Sequence, residues 1–222
     1  FAVMSLSKIQ VYEADLSHVA QNSINDPNIN DYTNIVVYGV DSRANELDKN
    51  TRSDSIMIVS INKKTKDIKL SSIYRDTFVS IEDHGYTKIN HAYAYGGPEL
   101  SISTINKNFD MNITDFVTVN FSSLTNVIDL LGGIELDITK EELEYVNAYT
   151  RDVARINGMD FTYIKSPGRQ KVTGVQATGY CRVRYTKGGD FTRAERQKTV
   201  LKAIFEKVKK SNPVTLYKVA NE

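Results

Sequence analysis

The chain has 222 residues, 41% of them hydrophobic, enough for one sizeable core or two small ones. Its 28 basic and 27 acidic residues leave a formal charge of +1, which argues against a nucleic-acid binder or a polybasic membrane-coating protein. A single cysteine, Cys181, excludes an internal disulfide and any cysteine-based zinc site, so charge-driven chemistry has to come from local groups of other residues.

Residues 1–33 mix polar and apolar positions and pass through the turn-rich Asn25-Asp26-Pro27-Asn28, the pattern of a juxtamembrane or leader segment and its linker. The sequence opens on Phe1 rather than Met and reads as an excised piece; no stretch reaches the roughly 18–20 apolar residues that span a bilayer. A domain is expected over 34–212, with 213–222 as a C-terminal tail. Asn34 to Val40 is a nearly continuous β-branched run, which predicts a central strand buried on both faces. Ser55 to Ile61 and Ile68 to Tyr74 predict a hairpin around the polar Asn62 to Asp67. Antiparallel pairing returns the chain to the edge it left, which makes neighbours of Arg52, Asp54, Arg75 and Asp76. If the first strand also runs antiparallel to the second, Asp41 joins that edge.

Pro98 to Asn108 is predicted helical, Phe116 to Phe121 a strand, and Ser122 to Leu131 a helix capped by Gly132-Gly133. A strand over Ile134 to Ile138 follows. The Thr139-x-x-Glu142 capping box then opens a helix to about Ala148. Residues 149–171 read as a long irregular loop. Helix returns over Thr173 to Tyr185. Thr192-x-x-Glu195 reads as a second capping box, opening a helix to Lys210 and leaving Asp190 outside it. Strands alternating with helices imply an α/β layered domain.

Arginine is unevenly spread. None of the ten precedes Arg43, none lies between Arg75 and Arg151, and four crowd into Arg182, Arg184, Arg193 and Arg196. The planar guanidinium fork bonds phosphate oxygens bidentately, so such a cluster favours a phosphorylated ligand, although surface salt bridging accounts for any one arginine taken alone. Asp41 and Asp54, each close to an arginine, fit either turn chemistry or a divalent cation, Mg2+ or Mn2+ in its place, because magnesium takes one or two carboxylates and completes its shell with water and phosphate. Asp190, Arg193 and Gln197 fall on one helical face. Nucleotide-binding glycine loops and the nucleophile elbow of α/β-hydrolases are absent. His91 reads as a structural hydrogen-bonder and Cys181 as a buried helix thiol.

Seven ordered motifs between Asn34 and Lys210 resemble the LytR-CpsA-Psr family of bacterial cell-wall glycopolymer ligases. They are Gly39-Val-Asp-Ser-Arg43, Arg52-Ser-Asp54, Ser72-Ile-Tyr-Arg-Asp-Thr77, Lys88-Ile-Asn-His-Ala-Tyr-Ala-Tyr-Gly-Gly97, Leu131-Gly-Gly-Ile134, Arg182-Val-Arg184 and Asp190-Phe-Thr-Arg-Ala-Glu-Arg-Gln197. Tyr74 departs from the pattern, which has a proline before Arg75. The resemblance implies an α-β-α layered single domain with a central mixed sheet, outside the cell membrane on the cell-wall side and tethered by an N-terminal helix absent from this sequence. It implies transfer of a teichoic acid or capsular glycan from polyprenyl pyrophosphate to peptidoglycan, releasing polyprenyl phosphate. By the same resemblance Asp41 and Asp54 hold magnesium, and Arg52, Arg75, Arg182, Arg184, Arg193 and Gln197 bind pyrophosphate. Arg75 and Arg193 also count as catalytic, and Asp190 is the candidate base. Rival readings are a polyprenyl-pyrophosphate phosphatase and a non-catalytic module that binds the lipid carrier.

Overall fold

The computed structural model describes Val19, residues 31–40 and residues 51–219. The expected leader segment and Asp41 lie almost wholly or wholly outside the described residues. Contacts gather the chain into two units that divide at Asn120 and Phe121.

In the first unit, β1 (Tyr32–Val40) begins two residues ahead of the expected boundary at 34. It pairs antiparallel with β2 (Ser53–Asn62), which pairs antiparallel with β3 (Ile68–Ile73). On its other edge β1 runs parallel to β6 (Asp115–Val119), giving a mixed sheet of order β3-β2-β1-β6. The predicted hairpin and the central position of β1 are both realised. Only Val36, Tyr38 and Val40 of β1 are fully buried, however, and the alternate residues are half-buried, so the strand has one deep face rather than two.

A small hairpin follows, β4 (Phe78–Ile81) with β5 (Gly85–Lys88), which the sequence reading lacks. Next comes α1 (Asn90–Phe109), broken at Gly96-Gly97, where Gly97 takes φ 65° and ψ −157°. Pro98 opens the second segment, a position where its missing N–H leaves no helical bond unmade. Ile56, Ile58, Val79, Ile81, Ile102 and Ile105 join the buried residues of β1 in one core.

The second unit contains α2 (Phe121–Leu130), β7 (Ile134–Ile138), α3 (Lys140–Asn157), β8 (Gly168–Val172), α4 (Gly174–Arg182), α5 (Gly189–Lys209) and α6 (Pro213–Val219). The Thr139 capping box is present in both directions. The helix it opens runs nine residues past Ala148, to a left-handed cap at Gly158, so the predicted loop over 149–171 begins as helix and ends in β8, antiparallel to β7. Thr150, Val153 and Ala154 are buried while Arg151 and Arg155 are exposed, which shows the helical face continuing under scattered charge. The segment after Gly158 is pinned to α3 by Asn147, whose side chain donates to Ile164 O and accepts from Ile164 N, each at 2.9 Å.

Helix α4 packs between α2 and α3 at very short range. A Cβ at Gly174 would lie 2.0 Å from Thr125 O, and one at Gly179 would lie 2.8 Å from Thr150 N, so glycine is required at both by contact alone. That approach sets the position of Arg182, the last residue of α4. The capping box read at Thr192 is not formed. Helix α5 starts four residues earlier, after Gly188 at φ 100°, and Thr192 Oγ1 donates to Lys187 O at 2.8 Å. Asp190 therefore sits inside the first turn of the helix, contrary to the sequence expectation.

Candidate functional site

The first unit carries a charged group at the sheet edge where β2 begins and β3 ends. Asp54 is the second residue of β2, and Arg75 follows β3 by two residues. Arg75 Nη1 donates to Asp54 Oδ1 at 2.6 Å, and Arg75 Nε stands 3.6 Å from Asp76 Oδ2. Asp76 Oδ1 in turn holds Lys88 Nζ of β5 at 2.7 Å. Arg52 is exposed just ahead of β2. Near it, His91 at the start of α1 binds Thr87 Oγ1 through Nδ1 at 2.9 Å, the structural role its sequence context suggests. Burial holds the imidazole below the usual histidine range, and Arg52 and Lys88 add to that, so it is neutral at pH 7. Among the described residues, the cations Arg75 and Lys88 meet the carboxylates Asp54 and Asp76 here, and Arg52 adds a further exposed cation near His91. The side chains of Arg75 and Asp54 are 25% and 29% exposed.

Asp54 offers a hard carboxylate oxygen of the kind magnesium takes, one that Arg75 engages in this structure. Among the described residues there is no cluster of three or more His, Cys, Asp or Glu of the kind a closed protein cage would need. Magnesium does not need one.

The second unit carries its own group where α4 ends and α5 begins. The Arg182 guanidinium carbon lies 4.6 Å from the Phe121 ring centroid and 5.6 Å from that of Tyr149. Stacking on two rings fixes the plane of the fork without using its N–H groups. Its Nη1 is buried, with no hydrogen-bond partner among the described residues. Such a donor is available to an anion and costly to leave unmet. Arg184 is exposed. Arg193 is buried on α5 with Asp190 Oδ1 3.5 Å from its Nη1, and Gln197 follows one turn later on the same helix. Neither Phe121 nor Tyr149 was visible as a site residue in the sequence. Tyr149 opened the predicted loop, and only its helical placement on α3 brings its ring under Arg182.

Arg196 belongs elsewhere. Its Nε donates to Glu142 Oε1 at 2.8 Å, Nη1 to Val183 O at 3.2 Å, and Nη2 to Thr186 Oγ1 at 2.6 Å, so its fork is committed to its own chain. Burial raises the Glu142 carboxyl, but bonds from Thr139 and Arg196 outweigh it and hold the group below the usual carboxylate range. Cys181 is buried, and burial pushes its thiol up to about 12, which removes it as a nucleophile.

The LytR_cpsA_psr family is matched over residues 3–222. A polyisoprenyl-teichoic acid–peptidoglycan teichoic acid transferase TagU of Enterococcus faecalis is 32% identical over 185 residues, covering 82% of this chain and 56% of its own length. Among solved structures, TagT bound to LI-WTA aligns over 91% of this chain and 70% of that one, with TM-score 0.67 and 27% identity. The LytR-CPS2A-psr family protein YwtF (TagT) with bound octaprenyl pyrophosphate lipid aligns over 90% and 78%, with TM-score 0.65 and 25% identity. The chain spans about 55–56% of the length of two curated relatives it matches.

Proposed function

The chain belongs to the LytR_cpsA_psr family, and from that premise we propose that it transfers an anionic glycopolymer from a polyprenyl-pyrophosphate carrier to peptidoglycan. The observation that carries the reading is the Arg75–Asp54 pair, a guanidinium at 2.6 Å from a carboxylate, both part-exposed at the sheet edge where β2 begins and β3 ends. Arg52, Arg75, Arg182, Arg184, Arg193 and Gln197 are each assigned to pyrophosphate binding by the motifs they share with the family. An acceptor hydroxyl attacks the phosphorus that bears the glycan. The P–O bond to the second phosphate breaks, polyprenyl phosphate leaves with the bonding pair, and a phosphodiester to the acceptor remains. Asp190 receives the hydroxyl proton, and Arg193 beside it orients the carboxylate.

Phosphoryl transfer depends on positioning and charge neutralisation more than on covalent help, and fixed arginines supply both. Asp54, together with Asp41, would hold Mg2+ or Mn2+, which when bound withdraws charge from the pyrophosphate oxygens. Membrane attachment with this unit on the cell-wall side completes the reading. Among the described residues no helix is long and apolar enough to cross a membrane, so fractionation of the full-length protein is the test of that part.

The reaction is tested by incubating the protein with a polyprenyl-pyrophosphate-linked teichoic acid precursor, with and without peptidoglycan oligomers and with and without chelator. The expected result is a phosphodiester-linked glycan that forms only with acceptor and is lost on chelation. Free sugar phosphate regardless of acceptor would convert the reading to a phosphatase, and binding without product would leave a carrier-binding module.

A further inference from the structure

One feature of the first unit has no part in the phosphate chemistry. Strand alternation on the β4–β5 hairpin sends Val79 and Ile81 into the core and Phe78, Ser80, Tyr86 and Lys88 to the opposite face. Phe78 and Tyr86 are diagonal neighbours across the two strands, and their rings stack with centroids 6.0 Å apart and planes 27° from parallel. Both are far out in solvent, 70% and 72% exposed. Two large rings on one open face are an unusual use of apolar surface unless something lies on them. The hairpin is also held in place. Thr87 is bonded to His91 of α1, and the His84 ring in its turn stacks on Tyr95 of α1 at 4.2 Å.

We propose that this aromatic face is a stacking platform for the acceptor, the β-1,4-linked N-acetylhexosamine strand of peptidoglycan; the inference rests on the transfer reading above. The axial C–H groups of a pyranose ring lie flat against an aromatic face, whose negative quadrupole attracts them. The rings sit on an open surface rather than in a pocket, which admits a polymer that continues in both directions. Charge selects among the candidates. The hairpin turn carries Glu82 and Asp83, and Asp76 stands beside Lys88, which is paired with it at 2.7 Å. With Lys88 neutralised by Asp76, the turn carboxylates of Glu82 and Asp83 disfavour both the phosphodiester donor polymer and an anionic lipid surface, whereas the sugar rings of the acceptor strand carry no charge. Proximity to the chemistry follows from pairing. Phe78 lies directly across from Lys88, whose ammonium binds Asp76, the immediate neighbour of Arg75. A strand lying on Phe78 and Tyr86 thus runs alongside the phosphate group of the same unit.

The test is calorimetric titration of the protein and of its Phe78→Ser/Tyr86→Ser variant with an N-acetylglucosamine hexamer, in parallel with octaprenyl pyrophosphate. The platform predicts saturable hexamer binding that weakens by about tenfold or more in the variant, while octaprenyl pyrophosphate affinity stays within about twofold. A Phe78→Tyr/Tyr86→Phe variant, which keeps both rings, should bind the hexamer like the parent, and an unchanged melting temperature shows that the serine variant is folded. The proposal is overturned if the parent does not bind the hexamer or the serine variant binds it equally well. It is also overturned if the substitutions abolish sedimentation with phosphatidylglycerol vesicles, or self-association, and leave hexamer binding intact. Failure of the parent to bind octaprenyl pyrophosphate would count against the transfer reading instead, and the hexamer titration still decides the platform.

Discussion

Two arginine–carboxylate pairs, Arg75–Asp54 and Arg196–Glu142, share one chemistry and differ in what surrounds them. Arg196 is 3% exposed, and its nitrogens are met by Glu142, Val183 and Thr186. The Glu142 Oε2 atom is itself taken by Thr139 N and Oγ1, each at 2.9 Å. That pair is closed, and it ties the start of α3 to the α4–α5 connection and to α5. Arg75 and Asp54 are more than a quarter open on average, at strand ends, among Arg52 and Lys88. A closed pair is suited to holding the fold, and a part-exposed pair at a sheet edge leaves room for the ligand proposed above. The difference lies in where the donors end, because Arg193 and Arg196 come from the same eight-residue motif and have different neighbours.

Removing each arginine in turn separates the two roles. The largest effect is expected at Arg75: Arg75→Ala should lower kcat/KM for transfer about 10³-fold or more, the range of single arginines in other phosphoryl-transfer enzymes. Its melting temperature should barely move, since solvent-screened pairs contribute about 0–1 kcal/mol. Arg196→Ala should do the reverse. It leaves Glu142 buried and unpaired, at a cost of about 3–5 kcal/mol, or a fall of roughly 6–20 °C in melting temperature for a chain of this size. Assayed below its melting range, it should transfer at near-normal rates. A large activity loss with normal stability would move Arg196 into the site.

Smaller effects sharpen the same contrast. Because the Glu142 carboxyl is depressed in the folded protein, the stability it contributes is present above its unfolded pKa and lost as pH falls through its folded one. Thermal melts across that acid range should therefore decline more steeply for the parent than for Glu142→Gln. The smallest expected effect is at His91, whose folded pKa lies below its unfolded value. The unfolded chain there binds more protons, so the histidine's share of stability is full above its unfolded pKa and shrinks as pH falls below it. Burial comes first among the causes and Arg52 next, so Arg52→Gln should raise the His91 midpoint in an NMR titration, and no change would separate Arg52 from this group.

The open pair was legible in the sequence because an antiparallel hairpin has only one way to return. Asp54 and Arg75 flank its two strands, and the pairing of Ile56 with Ile73 brings their ends together. Asp41 was drawn to the same edge by the same logic and falls outside the described residues. The closed pair was not legible. Glu142 announced itself as half of a capping box, and nothing in the spacing says that its other oxygen meets a residue 54 positions away. Helix α3 was cut short because Arg151, Asp152 and Arg155 look like loop residues until Thr150, Val153 and Ala154 are seen facing inward. The β4–β5 hairpin was missed because four-residue strands carry too few alternations to register. At α5 a matching Thr-x-x-Glu pattern gave way to Gly188, whose left-handed backbone starts the helix sooner.

The most direct measurement is the affinity of octaprenyl pyrophosphate for the parent protein, Arg75→Lys and Arg196→Lys, each assayed while folded. Lysine keeps the charge and discards the fork. Arg75→Lys should bind the lipid about tenfold more weakly or worse, and Arg196→Lys should bind it as the parent does. Equal binding by Arg75→Lys and the parent would contradict that expectation.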